Sequence, residues 1–367
     1  MFGACALYIR WTGWCKVASD VEAGLQVGPE VDMLRAALTV AIAVAFTAAL
    51  GAASVRIIQT NSAGTTVSII DPATNKVVGV ISGIEVNHGA ASAPDGTKFY
   101  ISNKADKTLD VVDTKTLKVI KQIPLTAHPN NIDISHDGKR VYVSIAAAPG
   151  AVDVIDTATL TRAKTLPVKG AAHNTYVTPD GKFVVTGSVA GKRVTVFDQP
   201  TEKELWTMDF DAGVRPITFE KNPDGSVKRM FVQLSDFHGF VAVDWATHKE
   251  VARITLPDIP EAERETEGLQ GSPSHGMVIP AGGTSIWVTS KLNSRLYEYS
   301  LPDLKLMGEV KVGGHPEWLT ATPDGKRIYS AGASVNAVSV VDVSTRKEIT
   351  RIPVGYVPKR NITAVLP

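Results

Sequence analysis

Residues 131–170 read NIDISHDGKRVYVSIAAAPGAVDVIDTATLTRAKTLPVKG, and this stretch decides the fold. It contains a short apolar run, a D-G turn, an alternating run, a variable loop, a third run ending in Asp, a T-x-T turn and a fourth run. The runs are rich in β-branched residues and alternate with a period of two, which is typical of half-buried strands. Asp-Gly between such runs is a strong hairpin signal. The stretch therefore predicts a unit of four antiparallel strands.

The same unit recurs along the chain. The Asp-Gly pairs stand at Asp95-Gly96, Asp137-Gly138, Asp180-Gly181, Asp224-Gly225 and Asp324-Gly325. The third runs read VSIID, LDVVD, VDVID, VTVFD, VAVDW, LYEYS and VSVVD, so that seven units are predicted. Four strands in about 40 to 45 residues is the period of a β-propeller blade. We therefore predict an all-β, seven-bladed β-propeller of four-stranded antiparallel blades.

The two ends of the repeat region predict how the ring closes. VRIIQTN at Val55 reads as a second strand with no first strand before it, and NITAVL at Asn361 reads as a lone first strand. The C-terminal strand would complete the first blade and remove the free sheet edges. Residues 54–367 are therefore expected to form one propeller domain, although the length would also suit two or three average domains.

The repeats resemble the YVTN-repeat family of bacterial β-propellers, the YncE-like group. The motif appears as KRVYVS at Lys139, KRIYSA at Lys326 and VIDTATL at Val154. The resemblance implies the propeller fold. It does not imply one activity, because relatives include binding proteins, surface proteins and propeller parts of redox enzymes.

An apolar run precedes the repeats. Residues 36–50 read AALTVAIAVAFTAAL, with Arg35 just before them and small residues after them. This order is typical of a secretory signal, and the run is short for a membrane anchor. We therefore predict a signal peptide at 33–53, a start at Met33, and an extension at 1–32 that is not part of the protein. The mature chain is expected in the bacterial periplasm or outside the cell, without stable membrane insertion.

Composition excludes several kinds of site and partner. The two cysteines, Cys5 and Cys15, precede the predicted cleavage point, which argues against zinc ribbons, cysteine nucleophiles and iron–sulfur clusters. No C-x-x-C-H motif occurs, so covalently attached heme is not expected. The 38 Lys and Arg residues balance 37 Asp and Glu residues, and nucleic acid is therefore not an expected partner.

Histidine recurs at one position of the repeat, the crossover from the fourth strand of a blade to the next first strand. Five of the eight histidines lie there: His88, His128, His173, His275 and His315. Arg215 takes the position in blade five, and Lys359 and Arg360 take it in blade one. These crossovers lie on the variable face, nearest the axis. These residues fall in two sub-registers that differ by about two residues. His128, Arg215 and His315 come earlier, and His88, His173 and His275 come later. The two sets predict two tiers around the mouth of the axial channel.

Two chemistries fit this pattern. Converging imidazoles without thiolates suit copper, zinc or iron. Imidazoles beside arginine and lysine could instead hold a carboxylate or phosphate. Duplication of a structural Gly-His-Pro turn is the alternative to any site. The residues expected to contact a ligand are Arg215, Arg360, Asn131, Asn174, Glu317, Trp318 and His238. Polar residues that are weaker candidates on the same face are Asn103, Lys104, Asp106, Asp236, Lys291 and Asn293.

The crossover at 256–275 is longer than the others and carries four glutamates, which favours a flap over the mouth. The leading functional hypothesis is an exported binding protein with a histidine-lined site for a transition metal or a small anionic ligand. The alternatives are a metal-dependent oxidoreductase or lactonase-like hydrolase that uses the same site, and a scaffold that binds a protein partner. No nucleophile elbow, P-loop or Rossmann fingerprint is present.

Overall fold

Seven sheets of four antiparallel strands make up the computed structural model, which describes residues 53–269 and 271–367. The predicted extension, the predicted signal peptide up to residue 52 and both cysteines lie outside the described residues. The one helix that the described ranges contain is the 3-10 turn Glu261–Glu263. No helix in these ranges is long and apolar enough to cross a bilayer.

The strands follow one another through the blades in chain order. The first blade contains β1 (Ser54–Asn61), β2 (Thr66–Asp71), β3 (Lys76–Ser82) and, from the C-terminus, β28 (Pro358–Leu366). Blades two to four contain β4 (Asn87–Ser92), β5 (Lys98–Asn103), β6 (Thr108–Asp113), β7 (Lys118–Pro124), β8 (Pro129–Ile134), β9 (Arg140–Ile145), β10 (Ala151–Asp156), β11 (Thr161–Pro167), β12 (Ala172–Val177), β13 (Phe183–Ser188), β14 (Arg193–Asp198) and β15 (Glu204–Asp209). Blades five to seven contain β16 (Val214–Lys221), β17 (Val227–Leu234), β18 (Gly239–Asp244), β19 (Lys249–Thr255), β20 (Ser274–Val278), β21 (Ser285–Ser290), β22 (Arg295–Ser300), β23 (Leu306–Lys311), β24 (Pro316–Ala321), β25 (Arg327–Gly332), β26 (Ala337–Asp342) and β27 (Lys347–Pro353).

The predicted closure of the ring is confirmed. β28 pairs antiparallel with β1, with Ile58 opposite Ile362 and Ile57 opposite Thr363. The order of the first sheet is β28-β1-β2-β3, so the last strand of the chain takes the innermost place of the first blade. Pairing the two ends of the repeat region in one sheet leaves no blade incomplete.

Two stereotyped turns connect strands on the face opposite the crossovers. In the Asp-Gly turns the glycine adopts the left-handed region, with φ of +71° at Gly138, where a side chain would be strained. In the T-x-T turns the preceding Asp accepts hydrogen bonds, as Asp113 does from the amide and hydroxyl of Thr116, both at 2.8 Å. These side-chain hydrogen bonds recur in the turns, which explains why the turn sequences on this face vary little between blades.

Burial decreases from the inner strands outward. The second and third strands of each blade carry nearly all of the fully buried aliphatic and aromatic side chains. The fourth strands are mostly exposed, as β11 shows, where only Leu166 is buried. Because neighbouring blades pack through their faces, the first strands are held around the axis, and the residues that begin them surround its crossover-side end.

Deletion of residues 358–367 should abolish cooperative unfolding. It would leave β1 unpaired on its inner edge and expose Ile57 and Ile58, both at 0% exposure. Circular dichroism melts and size-exclusion chromatography test this. Deletion of Pro367 alone is the control and should change neither result. A soluble monomer with an unchanged melting temperature after the longer deletion would contradict the role assigned to closure.

Candidate functional site

The residues that begin the first strands surround a cavity of about 380 Å³ on the axis, the axial cavity. All seven blades contribute to its wall. Its polar lining residues are Ser62, His88, Lys104, Asn130, His173, Arg215, His275, Lys291, Glu317, Lys359 and Arg360. The volume lies within the range of small-molecule sites, about 300–1,000 Å³.

Three of the five crossover histidines meet in the axial cavity. His88, His173 and His275 come from β4, β12 and β20, which belong to alternate blades. The ring centroids of His173 and His275 are 6.1 Å apart in an edge-to-face arrangement. These three residues form the later of the two sub-registers, and each lies within its first strand.

The earlier sub-register does not form the expected second tier of histidines. His128 is exposed, and its Nδ1 lies 2.8 Å from the carbonyl oxygen of Lys104. His315 is buried in a separate recess, where its Nε2 lies 3.0 Å from the carbonyl oxygen of Glu265. Both residues directly precede their strands, so their rings contact neighbouring loops. Arg215, the third member, does reach the axial cavity.

Hydrogen bonds assign the tautomers of His88 and His275. Nδ1 of His275 lies 2.8 Å from the carbonyl oxygen of Glu317, which can only accept, so Nδ1 carries the proton. The Ser62 hydroxyl donates to the carbonyl oxygen of Asn87 at 2.7 Å and therefore accepts from Nδ1 of His88 at 3.2 Å. Nε2 carries the lone pair in both rings. Such a carbonyl or hydroxyl partner is the usual support of a metal-binding imidazole.

His173 is oriented differently. Its Nε2 lies 3.4 Å from Nη1 of Arg215, which can only donate, so Nε2 again carries the lone pair. Nδ1 of His173 is buried and has no hydrogen-bond partner among the described residues. A buried donor without a partner costs about 1–3 kcal/mol, and a bound ligand could satisfy it.

The three imidazoles are neutral at pH 7. Burial lowers the pKa of His88, His173 and His275 well below 6.5, and the positive charge of Arg360 lowers it further in each case. Neutral imidazole is the form that ligates metal or accepts a proton.

Arg360 lies at the base of the axial cavity. It starts from β28 in blade one, and its Nη2 donates to Asn174 at 2.5 Å and to Asn130 at 3.2 Å. Its guanidinium stacks over Trp318 with 4.1 Å between Cζ and the ring centroid. Nε and Nη1 have no hydrogen-bond partner among the described residues, and burial lowers the pKa of Arg360 to about 10. The side chain is a buried cation that forms no direct ion pair with a carboxylate of the described residues, although the charge of Glu317 acts on it from a distance.

Glu317 is the carboxylate of the axial cavity. It is 3% exposed and pairs with Lys291 at 2.8 Å and with Lys359 at 2.6 Å. Burial alone would raise the pKa of Glu317, but the two lysines lower it below its usual value. Glu317 is therefore ionised and shared by two lysines.

The axial cavity carries an excess of positive charge. Five cationic side chains and one carboxylate line it, so that the lining carries a net charge of +4. Burial and the neighbouring cations lower the pKa of Lys104, because the positive charges repel one another. A buried cation needs a counter-charge, and an anionic ligand would supply it.

A metal centre built from protein ligands alone is not formed by the described residues, where no group of three or more His, Cys, Asp or Glu side chains could hold one ion. The three imidazoles share a cavity without converging on one point. Binding of a transition metal by this chain therefore stays a prediction.

The remaining predicted contact residues lie around the axial cavity. Asn174 supports Arg360, and Asn131 and Trp318 line a second cavity further along the axis. His238 lies outside the axial cavity, where its Nε2 bonds to the hydroxyl of Ser290 at 2.7 Å. From the long crossover, Gly271 reaches the cavity wall.

Sequence reasoning missed Ser62 and Asn130. Asn130 is the second residue of its first strand, the position that His88, His173 and His275 hold in blades two, four and six, but it is not a histidine. Ser62 directly follows β1, as Lys104 follows β5 and Lys291 follows β21. Lys104 and Lys291 appeared only as weaker candidates, because a solvated polar loop was the alternative for each, whereas Lys359 was placed at the crossover of blade one. Their side chains meet only after the ring closes.

Comparisons with known proteins agree with the propeller fold. Residues 55–355 match the family described as Cytochrome D1 heme domain. No match to a curated protein was found.

Solved structures with this fold include hydrazine synthase from Kuenenia stuttgartiensis, 22% identical with a TM-score of 0.67 over 78% of this chain and 92% of that one. A periplasmic gluconolactonase from Pseudomonas aeruginosa is 17% identical with a TM-score of 0.68, over 86% and 100%. A dihydro-heme d1 dehydrogenase, NirN, in complex with DHE is 15% identical with a TM-score of 0.61, over 84% and 74%. At these identities the likeness shows the fold alone.

The Arg360→Gln variant should raise the pKa of His88, His173 and His275, because the charge of Arg360 lowers each of them. The values should stay below 6.5, since burial is the larger cause. A pH titration of the imidazole Cε1–H signals by NMR measures the change. Lys182→Gln, at an exposed lysine of an Asp-Gly turn, is the matched control and should have no effect. Unshifted histidines in Arg360→Gln would contradict this electrostatic coupling.

Proposed function

This chain belongs to the cytochrome D1 heme domain family, and we propose that it binds a carboxylate-bearing iron tetrapyrrole in the axial cavity. The observation that carries the proposal is the net positive charge of the cavity lining, with Arg360 buried at its base. The more general proposal, that the cavity binds a small anionic ligand, rests on the same charge.

The donor set fits such a group. A tetrapyrrole would supply four nitrogens to its iron, so the protein would need to add only one further ligand, and histidine is a common one. This explains how a site without a three-residue metal cluster could still hold iron. Nε2 of His88 or His275 would serve as the ligand, because its lone pair is free of the Nδ1 hydrogen bond. The bound iron would supply redox or small-molecule-binding chemistry.

The cations would hold the carboxylates of the macrocycle. Arg215 and Arg360 present guanidinium groups that suit paired hydrogen bonds to carboxylates, and Lys104 adds a third charge. Lys291 and Lys359 already pair with Glu317 and would contribute mainly to the potential. The axial cavity would thus offer both a histidine ligand for the iron and a binding site for the carboxylates.

We also propose that the chain is exported to the periplasm, on the basis of the predicted signal peptide. Three further points stay predictions from the sequence. They are the resemblance to the YVTN-repeat group, the binding of a protein partner, and the expectation that nucleic acid is not a ligand.

A lactonase-like hydrolase is the second candidate function. His173 is neutral, and its Nε2 lies 3.4 Å from the guanidinium of Arg215. A neutral imidazole can act as a general base, and an adjacent guanidinium can stabilise the oxyanion that forms during ester cleavage. This pair favours acyl chemistry on a lactone, with a water as nucleophile.

Titration of the purified chain with iron protoporphyrin IX should give saturable binding and a shifted Soret band. Arg215→Gln and Arg360→Gln should each weaken binding about 10- to 100-fold, the effect of losing one charge-assisted hydrogen bond. His88→Ala or His275→Ala should change the Soret band, because the iron would lose its histidine ligand. Absorption spectroscopy measures both effects.

Lys182→Gln is again the control, because Lys182 is exposed and lies on the opposite face. No saturable binding, or binding that both arginine variants leave unchanged, would refute the tetrapyrrole proposal. Retained binding of simple carboxylates in that case would keep the coarser proposal of an anion site.

Hydrolysis of δ-gluconolactone tests the second candidate. A hydrolase should exceed the spontaneous rate, and its rate should remain high below pH 6.5, because burial keeps the pKa of His173 low. His173→Ala should lower kcat/KM by about 10²- to 10⁴-fold. A pH-stat assay measures the rate, and a wild-type rate equal to the background would exclude this function for the substrate tested.

A further inference from the structure

A second cavity lies along the axis beyond Arg360. We call it the lower chamber; its volume is about 340 Å³, and the residues that define it are Asn131, Asp133, Tyr176, Trp318, Thr320 and Arg360. Asp133 and Thr320 stand further along their first strands than the residues of the axial cavity. Arg360 lines both cavities and stacks on Trp318, so this pair separates them.

The lower chamber contains a half-buried carboxylate, Asp133. It accepts hydrogen bonds from the amides of Val177 and Ile134, both at 2.8 Å, and forms no ion pair with any described residue. The charged or titratable groups that interact with it are His136, from the turn of its own blade, and Tyr176 of β12; Arg360 of β28 lines the same chamber without forming an ion pair with it. Burial raises the pKa of Asp133 to about 6, so it is mostly ionised above pH 7.

Other acceptors lie in the same chamber. The Thr320 and Thr363 hydroxyls are 2.8 Å apart, and Thr363 donates to the carbonyl oxygen of Ala321. Thr320 therefore donates to Thr363, which leaves the lone pairs of its own oxygen as acceptors. A donor-rich, positively charged group placed beside Asp133 would find acceptors on two blades.

Apart from Asn361, the remaining wall is mostly apolar. Ala90, Ala91, Ile132 and Leu319 line it together with the indole of Trp318. A metal ion such as Ca²⁺ takes six to eight oxygen ligands, which one carboxylate and an aliphatic wall do not offer. An alkyl group fits that wall, and aromatic rings attract organic cations.

We propose that the lower chamber is a second ligand site, which binds a small organic ammonium ion through Asp133 with its alkyl part against the apolar wall. The site is separate from the axial cavity and opposite to it in charge preference. It uses residues that the proposed tetrapyrrole site leaves without a role.

Titration with n-propylammonium chloride at pH 7.5 should show saturable one-to-one binding by isothermal titration calorimetry. Affinity should fall about tenfold between pH 7.5 and pH 5, because protonation neutralises Asp133. Asp133→Asn should weaken binding at least tenfold, while its amide oxygen still accepts a backbone hydrogen bond. Asp137→Asn, in the exposed turn of the same hairpin, is the matched control and should bind normally.

Potassium chloride at equal ionic strength separates an organic cation from an inorganic one. Equal displacement by K⁺, absence of saturation in the wild type, or equal affinity in Asp133→Asn would each overturn the proposal. An affinity that does not change between pH 7.5 and pH 5 would also overturn it, whether or not the variant folds. Iron protoporphyrin IX should still bind to Asp133→Asn, so failure of this proposal would leave the tetrapyrrole proposal intact.

Discussion

The antiparallel pairing of β28 with β1 is the contact on which the rest of the structure depends. It closes the ring, and it also delivers Lys359 and Arg360 to the axis, because both residues lie on β28. From there Arg360 reaches Asn130 of blade three and Asn174 of blade four. The pairing that closes the ring therefore also places the residues at the base of the axial cavity. A chain that failed to pair its ends would lose the base of the axial cavity together with the first blade.

Charge is distributed unevenly along the axis. The lining of the axial cavity carries a net charge of +4, and the lower chamber holds the anionic Asp133, with the Arg360–Trp318 pair between them. Burial makes both charges costly, since little water remains to solvate them. It also keeps the three cavity histidines neutral. Bound ligands of opposite charge would compensate both groups, as we propose.

Repetition in the sequence predicted histidines at the axis, but it could not tell which ones meet. His88, His173 and His275 lie within their first strands and face the axial cavity, whereas His128 and His315 precede theirs and contact loops. A shift of about two residues decides the difference. Ser62, Lys104 and Asn130 lie on different blades, and their neighbours in space are far away in the chain.

The sequence by itself determined the seven blades, the antiparallel order and the closing strand, because a period-two pattern and Asp-Gly turns act locally and recur in every unit. It also named most of the cationic residues of the axial cavity. Tertiary structure alone decided that Arg360 lies buried over Trp318 without a direct ion pair among the described residues, that Glu317 is shared by two lysines, and that Asp133 faces the lower chamber. These relations join residues from different blades, whose distances and burial are set by the closed ring.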